Sequence, residues 1–242
     1  MKVTLIDGTG MGTLDPARYA AHILIYTKST RLQMSPGLLY EVKQKTDDEI
    51  RQELKIMADT NPGSWEFVHF TFLIQGVSRA FTHQLVRTRT ASYAQQTMRT
   101  VPMEGWTYET GPSVQNNERY KSIMDIIADN YQKLIKEGAR VEDARGILPT
   151  NIHTNINMSI NMRNFINFSR KRASIRVQDE HTKVVDAMVR EIEAVYPWFH
   201  IFYKNDEMQA MRELQNIIME SKLTHEEKVI IWKKIDLLKK EV

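Results

Sequence analysis

Asn151-Ile-His-Thr-Asn-Ile-Asn-Met-Ser-Ile-Asn161 is the most strongly patterned stretch of this chain. Ile152, Ile156, Met158 and Ile160 alternate with Asn151, His153, Asn155, Asn157, Ser159 and Asn161. Successive side chains of a strand point to opposite faces, so this period of two predicts a strand with one apolar and one amide-rich face. Arg163 to Arg172 then reads as a helix. Moving outward, Lys2 to Asp7 and Trp65 to Ile74 read as further strands, the latter rich in Phe, Val and Thr. Asp15 and Pro16 open a helix to about Tyr26, and Thr46 or Asp47 caps a second one, ending near Asp59 before Asn61-Pro62-Gly63. Ser78 caps a helix to about Thr88, and Ser113 caps a long one stopped by Gly138. A short helix runs from about Val141 to before Pro149, and another from Asp179 to Val195, ended by Pro197. Thr224-His225-Glu226-Glu227 has the form of a capping box before a last amphipathic helix. That helix carries Lys233, Lys234, Lys239 and Lys240 beside Ile230, Trp232, Ile235 and Leu238, a pattern for solvent or subunit packing rather than a membrane. The expected fold is one mixed α/β (α+β) domain over residues 1–242, with C-terminal helices in 205–242.

Composition narrows the function classes. With 42% hydrophobic and 26% charged residues, 242 residues can bury a substantial core. No apolar run approaches the length of a membrane-spanning helix, and Met1 to Asp7 is too short and too quickly polar for a secretory signal. Cysteine is absent, which excludes disulfides, Cys-ligated zinc, iron–sulfur clusters and a thiolate nucleophile, and fits a cytoplasmic protein. The seven His form no H-x-x-x-H or H-E-x-x-H pattern, so no metal site is expected. Neither G-x-G-x-x-G nor a P-loop is present. The 13 Met read as gap-filling core residues.

Charge is segregated. Phe67 to Met103 and Ala144 to Gln178 contain no Asp or Glu and ten basic residues, nine of them Arg, while the rest of the chain is acidic by seven charges. Arginine captures phosphate bidentately, so these segments point to an anionic ligand, either nucleic acid or a nucleotide-sized molecule. Within His83–Thr100, Arg87 and Arg89 are two residues apart and would diverge on a helix end. Ser92, Gln95, Thr97 and Arg99 follow with no acid nearby in sequence, a mixture of hydroxyl, amide and guanidinium that suits phosphate. Tyr93 either lines this pocket or packs, and His153 either faces a ligand or makes a structural hydrogen bond.

Arg87-Thr-Arg89-Thr-Ala-Ser92-Tyr-Ala-Gln-Gln-Thr97-Met-Arg99 resembles the R-H-R-x-x-S-x-x-x-x-S-x-R signature of the flavin-dependent thymidylate synthases. Gly76-Val-Ser-Arg-Ala-Phe-Thr-His-Gln-Leu-Val resembles their helix leading into it, Ala144-Arg145-Gly-Ile-Leu-Pro149 their A-R-x-x-L-P, and Asn161-Met-Arg163-Asn-Phe-Ile-Asn167-Phe-Ser-Arg-Lys-Arg172 their N-x-R-x-L-x-N-F-x-x-x-R. The resemblance covers residues 1–200 approximately. It implies a homotetramer that binds FAD, with active sites where subunits meet. The implied reaction takes a one-carbon unit from methylenetetrahydrofolate to carbon 5 of dUMP, with NADPH reducing the flavin and no catalytic cysteine. Carried over residue by residue, Arg87, Thr88, Arg89 and Gln95, with Asn161, Arg163 and Asn167, are implied to bind the cofactor. Gln84, Arg87, Gln95, Thr97, Met98, Arg99 and Arg145 are implied to bind the nucleotide. Arg172 is implied to act on the pyrimidine, where a guanidinium stabilises developing negative charge.

The sequence departs from the signature in several places. Thr88 stands where the family has the central His, and Thr97 where it has Ser. Asn61 and Phe67 stand where H-x-S-x-x-E-H has its two His, while Glu66 keeps the carboxylate. Tyr26-Thr-Lys-Ser keeps little of the family's small-residue turn. These changes lie toward the flavin and folate side. They leave open dCMP as substrate, a hydroxymethyl product, or a member that has lost activity. An RNA- or DNA-binding module using the same arginines is the alternative of another class.

Overall fold

The computed structural model describes residues 1–242 except 61, 104, 173–178, 204–213, 215, 216, 219, 220, 222, 225 and 232–242. Of Lys171, Arg172 and Asp179 the backbone alone is described. A four-stranded antiparallel sheet has the order β1 (Lys2–Gly8), β2 (His69–Ser78), β4 (His153–Asn161), β3 (Ala91–Gln95). In β4, Thr154, Ile156, Met158 and Ile160 are buried and the residues between them half-buried, so the alternation works as expected. The apolar face packs on α1 (Pro16–Ser29), α3 (Asp47–Thr60), α4 (Arg79–Leu85), α7 (Met162–Arg172) and α8 (Asp179–Val195). Two further helices, α2 (Leu38–Lys43) and α6 (Val141–Ala144), are single short turns, and α5 (Glu118–Lys136) is the longest helix described. The opposite sheet face carries Thr71, Asn155, Asn157, Ser159 and Ser92, cross-linked where Thr71 Oγ1 donates to Ser159 Oγ at 3.2 Å.

Local chemistry sets the ends of these elements. The Arg18 N–H donates to Asp15 Oδ1 at 2.9 Å at the start of α1. Before α3, Thr46 N–H donates to Glu49 Oε2 at 2.7 Å, and Glu49 N–H returns to Thr46 Oγ1. These hydrogen bonds hold the Glu49 carboxyl below its ordinary range. Thr224 and Glu227 form the same reciprocal cap, and residues 226–231 are helical. The remainder of that helix, with Trp232, Lys233, Lys234, Ile235, Leu238, Lys239 and Lys240, lies outside the described residues, as do Arg176 and Asn61.

Four boundaries differ from the sequence reading. The second strand runs His69–Ser78 rather than Trp65–Ile74, because Ser64–Phe67 closes a 3₁₀ turn on Pro62. It continues past Ile74 through a register shift that Gly76 permits at φ 63. The helix expected from Ser113 starts at Glu118, since Asn117 is the residue whose Oδ1 accepts from Tyr120 N–H. It does end at Gly138, which takes φ 90. The helix after Ser78 stops at Leu85 rather than Thr88. Ala91–Gln95, read as a polar stretch, is an edge strand on β4.

Candidate functional site

The arginine-bearing segments gather at the two ends of β3. Ala91 pairs with Ile160 and Gln95 with Ile156, so β3 runs away from the β4–α7 junction. Five residues of strand separate its ends by about 13 Å.

At the first end lies the turn joining α4 to β3. Arg87 and Arg89 are exposed here and Thr88 is half-buried. Both arginines lie beyond the helix, so the divergence expected of a helix end is replaced by the geometry of this turn. Tyr93 shapes it: its hydroxyl lies 2.9 Å from the Leu85 carbonyl and 3.0 Å from that of Thr88, donating between them. Tyr93 therefore packs and positions rather than lining a pocket. Replacing Tyr93 by Phe is expected to cost about 1 kcal/mol, a few degrees in Tm, and to weaken retention of whatever anion the turn binds. A melting curve and a ligand titration on the variant check this; unchanged values in both would refute it.

The start of α7 adjoins this turn. The Asn164 N–H donates to Asn161 Oδ1 at 2.9 Å, so Asn161 caps the helix. Arg163 and Asn167 are four residues apart on one face, with Asn167 exposed. Arg163 Nη1 meets Glu66 Oε1 at 2.5 Å, joining two motif residues 97 apart in sequence. Phe67, next to Glu66, is exposed. Arg172 ends α7, and its side chain lies outside the described atoms.

At the second end, Gln95 turns toward the helices, its Nε2 donating to Thr82 Oγ1 at 2.9 Å. Gln84 is exposed on α4. Beyond β3, Thr97 Oγ1 accepts from the Arg99 N–H at 3.1 Å, while Met98 is buried and anchors the turn. Arg99 Nε lies 3.2 Å from Glu142 Oε2, which corrects the expectation that the Arg87–Arg99 segment has no acidic partner. That partner comes from α6, distant in sequence. Arg145 follows α6 and its Nε donates to the Glu142 backbone carbonyl at 3.2 Å.

Arg79 was not among the residues expected to bind. Its Nη1 is buried with no hydrogen-bond partner among the described residues. Burial first, and then the charge of Arg145, push this guanidinium below the ordinary arginine value. A desolvated cation beside another cation is costly unless an anion joins them. The sequence signal was the acid-free run itself. Ser78, which precedes Arg79, is fixed by Glu180: Ser78 N–H and Oγ–H each donate to that carboxylate at 2.6 Å. His153 makes structural contacts, 2.8 Å from Thr107 Oγ1 and 3.4 Å from Glu109. Among the described residues no His, Asp and Glu converge as a metal-ligand set, and no helix is long and apolar enough to cross a membrane.

Residues 12–198 match the family described as thymidylate synthase complementing protein. The chain belongs to the flavin-dependent thymidylate synthase family. It is 32% identical over 195 residues to the flavin-dependent thymidylate synthase of Clostridium tetani (strain Massachusetts / E88), covering 72% of this chain and 78% of that one. It is 36% identical over 166 residues to that of Geobacter sulfurreducens, covering 62% of this chain and 72% of the relative. The corresponding enzyme of Sulfurisphaera tokodaii is 36% identical over 170 residues, 66% of this chain and 65% of its own length. Family membership implies a flavin. The exposed arginine turn at Arg87–Arg89 and the Arg163–Asn167 helix face offer donors suited to its phosphates and polar edges.

Proposed function

We propose that this member of the family methylates carbon 5 of dUMP to give dTMP, with methylenetetrahydrofolate as carbon donor, FAD as cofactor and NADPH as reductant. The observation that carries the reading is half-buried Arg79, whose Nη1 is buried without a hydrogen-bond partner among the described residues and whose charge feels that of Arg145. A nucleoside monophosphate supplies the anion this position needs. Arg79, Arg99 and Arg145 grip the phosphate, with Thr97 shaping the Arg99 turn and Met98 anchoring it from the core. Gln84 and Gln95 belong to the nucleotide side as well. At the other end of β3, Arg87, Thr88 and Arg89 would hold the FAD phosphates, and Asn161, Arg163 and Asn167 would offer polar groups to the flavin. Arg172 stabilises negative charge on the pyrimidine, which makes carbon 5 more nucleophilic toward the folate methylene. FAD held by these residues would supply, after reduction by NADPH, the hydride needed to convert a transferred methylene to methyl. The ring loses its carbon 5 proton and tetrahydrofolate departs.

Membership of the family supports reading the protein as a homotetramer in which neighbouring copies complete each site.

Purified protein is expected to show the absorption of oxidised flavin. Incubated with methylenetetrahydrofolate, NADPH and either dUMP or dCMP, it is expected to yield dTMP from dUMP, read by mass spectrometry. Product from dCMP alone overturns the base assignment, and a hydroxymethyl product overturns the methyl assignment. Colourless protein that takes up no flavin overturns the whole reading.

A further inference from the structure

Glu142 stands at the centre of the second arginine cluster. One carboxylate oxygen lies 3.2 Å from Arg99 Nε, and the other 3.1 Å from Arg140 Nη1. Asp143, next in sequence, holds Arg140 Nε at 2.9 Å. The backbone of Glu142 binds Arg145, whose charge in turn reaches Arg79. Arg99 and Arg140 engage the two carboxylates while Arg79 and Arg145 do not, so these four arginines and two acids together carry two net positive charges. Half-buried Arg79 holds one of them, its Nη1 buried without a hydrogen-bond partner among the described residues. The hydrogen bond that Glu142 accepts from Arg99 comes from Nε.

Charge balance connects this arrangement to ligand choice. A phosphomonoester carries nearly two negative charges at neutral pH, which matches the residual charge of the cluster. A diphosphate or triphosphate brings further negative charge against the Glu142 carboxylate. That side chain is 34% exposed, so its field is only partly screened.

We infer that Glu142 is a specificity-determining residue, an internal carboxylate that orients Arg99 and restricts the cluster to a monophosphate over longer phosphate chains. The inference rests on the nucleotide-binding reading above and names what selects among nucleotides there. Glu142 makes no contact with a reacting atom; it acts through the arginines and through repulsion of the second phosphate.

The test uses the full-length, flavin-loaded protein as wild type, Glu142→Gln and Glu142→Asp, titrated calorimetrically with dUMP, dUTP, inorganic phosphate and pyrophosphate. Wild type is expected to prefer dUMP to dUTP and phosphate to pyrophosphate. Glu142→Gln is expected to shrink both preferences about ten-fold, mainly by gaining affinity for dUTP and pyrophosphate, as follows from removing one partly screened charge. Glu142→Asp, which keeps the charge, is expected to keep both preferences. Unchanged preferences in Glu142→Gln, with or without a uniform loss of affinity, overturn the inference. So does their loss in Glu142→Asp, which would assign the effect to geometry instead of charge. A wild-type protein that binds flavin but neither dUMP nor phosphate overturns the substrate reading itself, and this inference with it. Wild-type binding of dUMP with an unmoved ratio in Glu142→Gln overturns this inference alone.

Discussion

Arg79→Leu is expected to weaken dUMP binding about a hundred-fold while leaving the protein at least as stable as wild type. The opposite signs come from one cause. In the free protein the Arg79 Nη1 is buried without a partner, and burial together with the Arg145 charge disfavours its charged form. An apolar side chain of similar volume removes that desolvation cost, and such replacements are commonly neutral or stabilising. The backbone contribution of this residue persists, because its N–H donates to the Ile152 carbonyl whatever the side chain. Binding reverses the balance. A phosphate that completes a buried charged hydrogen bond gains about 1.5–3 kcal/mol, and a hundred-fold in affinity corresponds to about 2.7 kcal/mol. Arg79→Lys is expected to fall between the two, since an ammonium keeps the charge but loses the planar fork. Thermal melting and calorimetric titration of the three proteins check this. A lower Tm in Arg79→Leu with unchanged dUMP affinity would mean that the guanidinium serves the fold.

Phe70→Ala is expected to give the largest loss of stability, about 3–5 kcal/mol. Phe70 is fully buried on β2 at the centre of an aromatic cluster. Its ring centroid lies 5.6 Å from Tyr196, 5.9 Å from Phe199, 6.1 Å from Phe165 and 6.4 Å from Phe72. Those neighbours come from β2, α7 and the turn after α8, so collapse into the cavity would need three elements to shift together. For a chain of this size the loss corresponds to about 10 °C or more in Tm. Phe70→Leu, which keeps most of the volume, is expected to lose less than half as much. Denaturant or thermal unfolding of the pair measures both. The functional consequence follows from β2, which pairs with β4 and leads through Ser78 into α4, the helix before the arginine turn. Flavin retention is therefore expected to fall with stability in Phe70→Ala. Equal Tm values for Phe70→Ala and wild type would refute the packing argument.

Much of the architecture was legible because it is local. The alternation in His153–Asn161 needs only the geometry of a strand and one apolar face. Asp15, Thr46 and Ser78 announce helices because their side-chain oxygens take backbone N–H groups three residues on. The edge strand Ala91–Gln95 was not legible. Its small and polar residues carry no apolar alternation, and it is a strand because the free edge of β4 offers backbone partners. The early end of α4 has a similar origin, since Tyr93, eight residues beyond, takes the Leu85 carbonyl.

The candidate site divides along the same line. Residue order and type alone placed this chain in the flavin-dependent thymidylate synthase family and pointed to a phosphorylated ligand for its arginines, because guanidinium chemistry and motif spacing are properties of the chain itself. The fold alone decided that Arg99 shares Glu142, that Arg163 meets Glu66, and that Arg79 is half-buried within reach of the Arg145 charge, its Nη1 without a hydrogen-bond partner among the described residues. Ion pairing and desolvation depend on distance in space, and these partners lie tens of residues apart along the backbone.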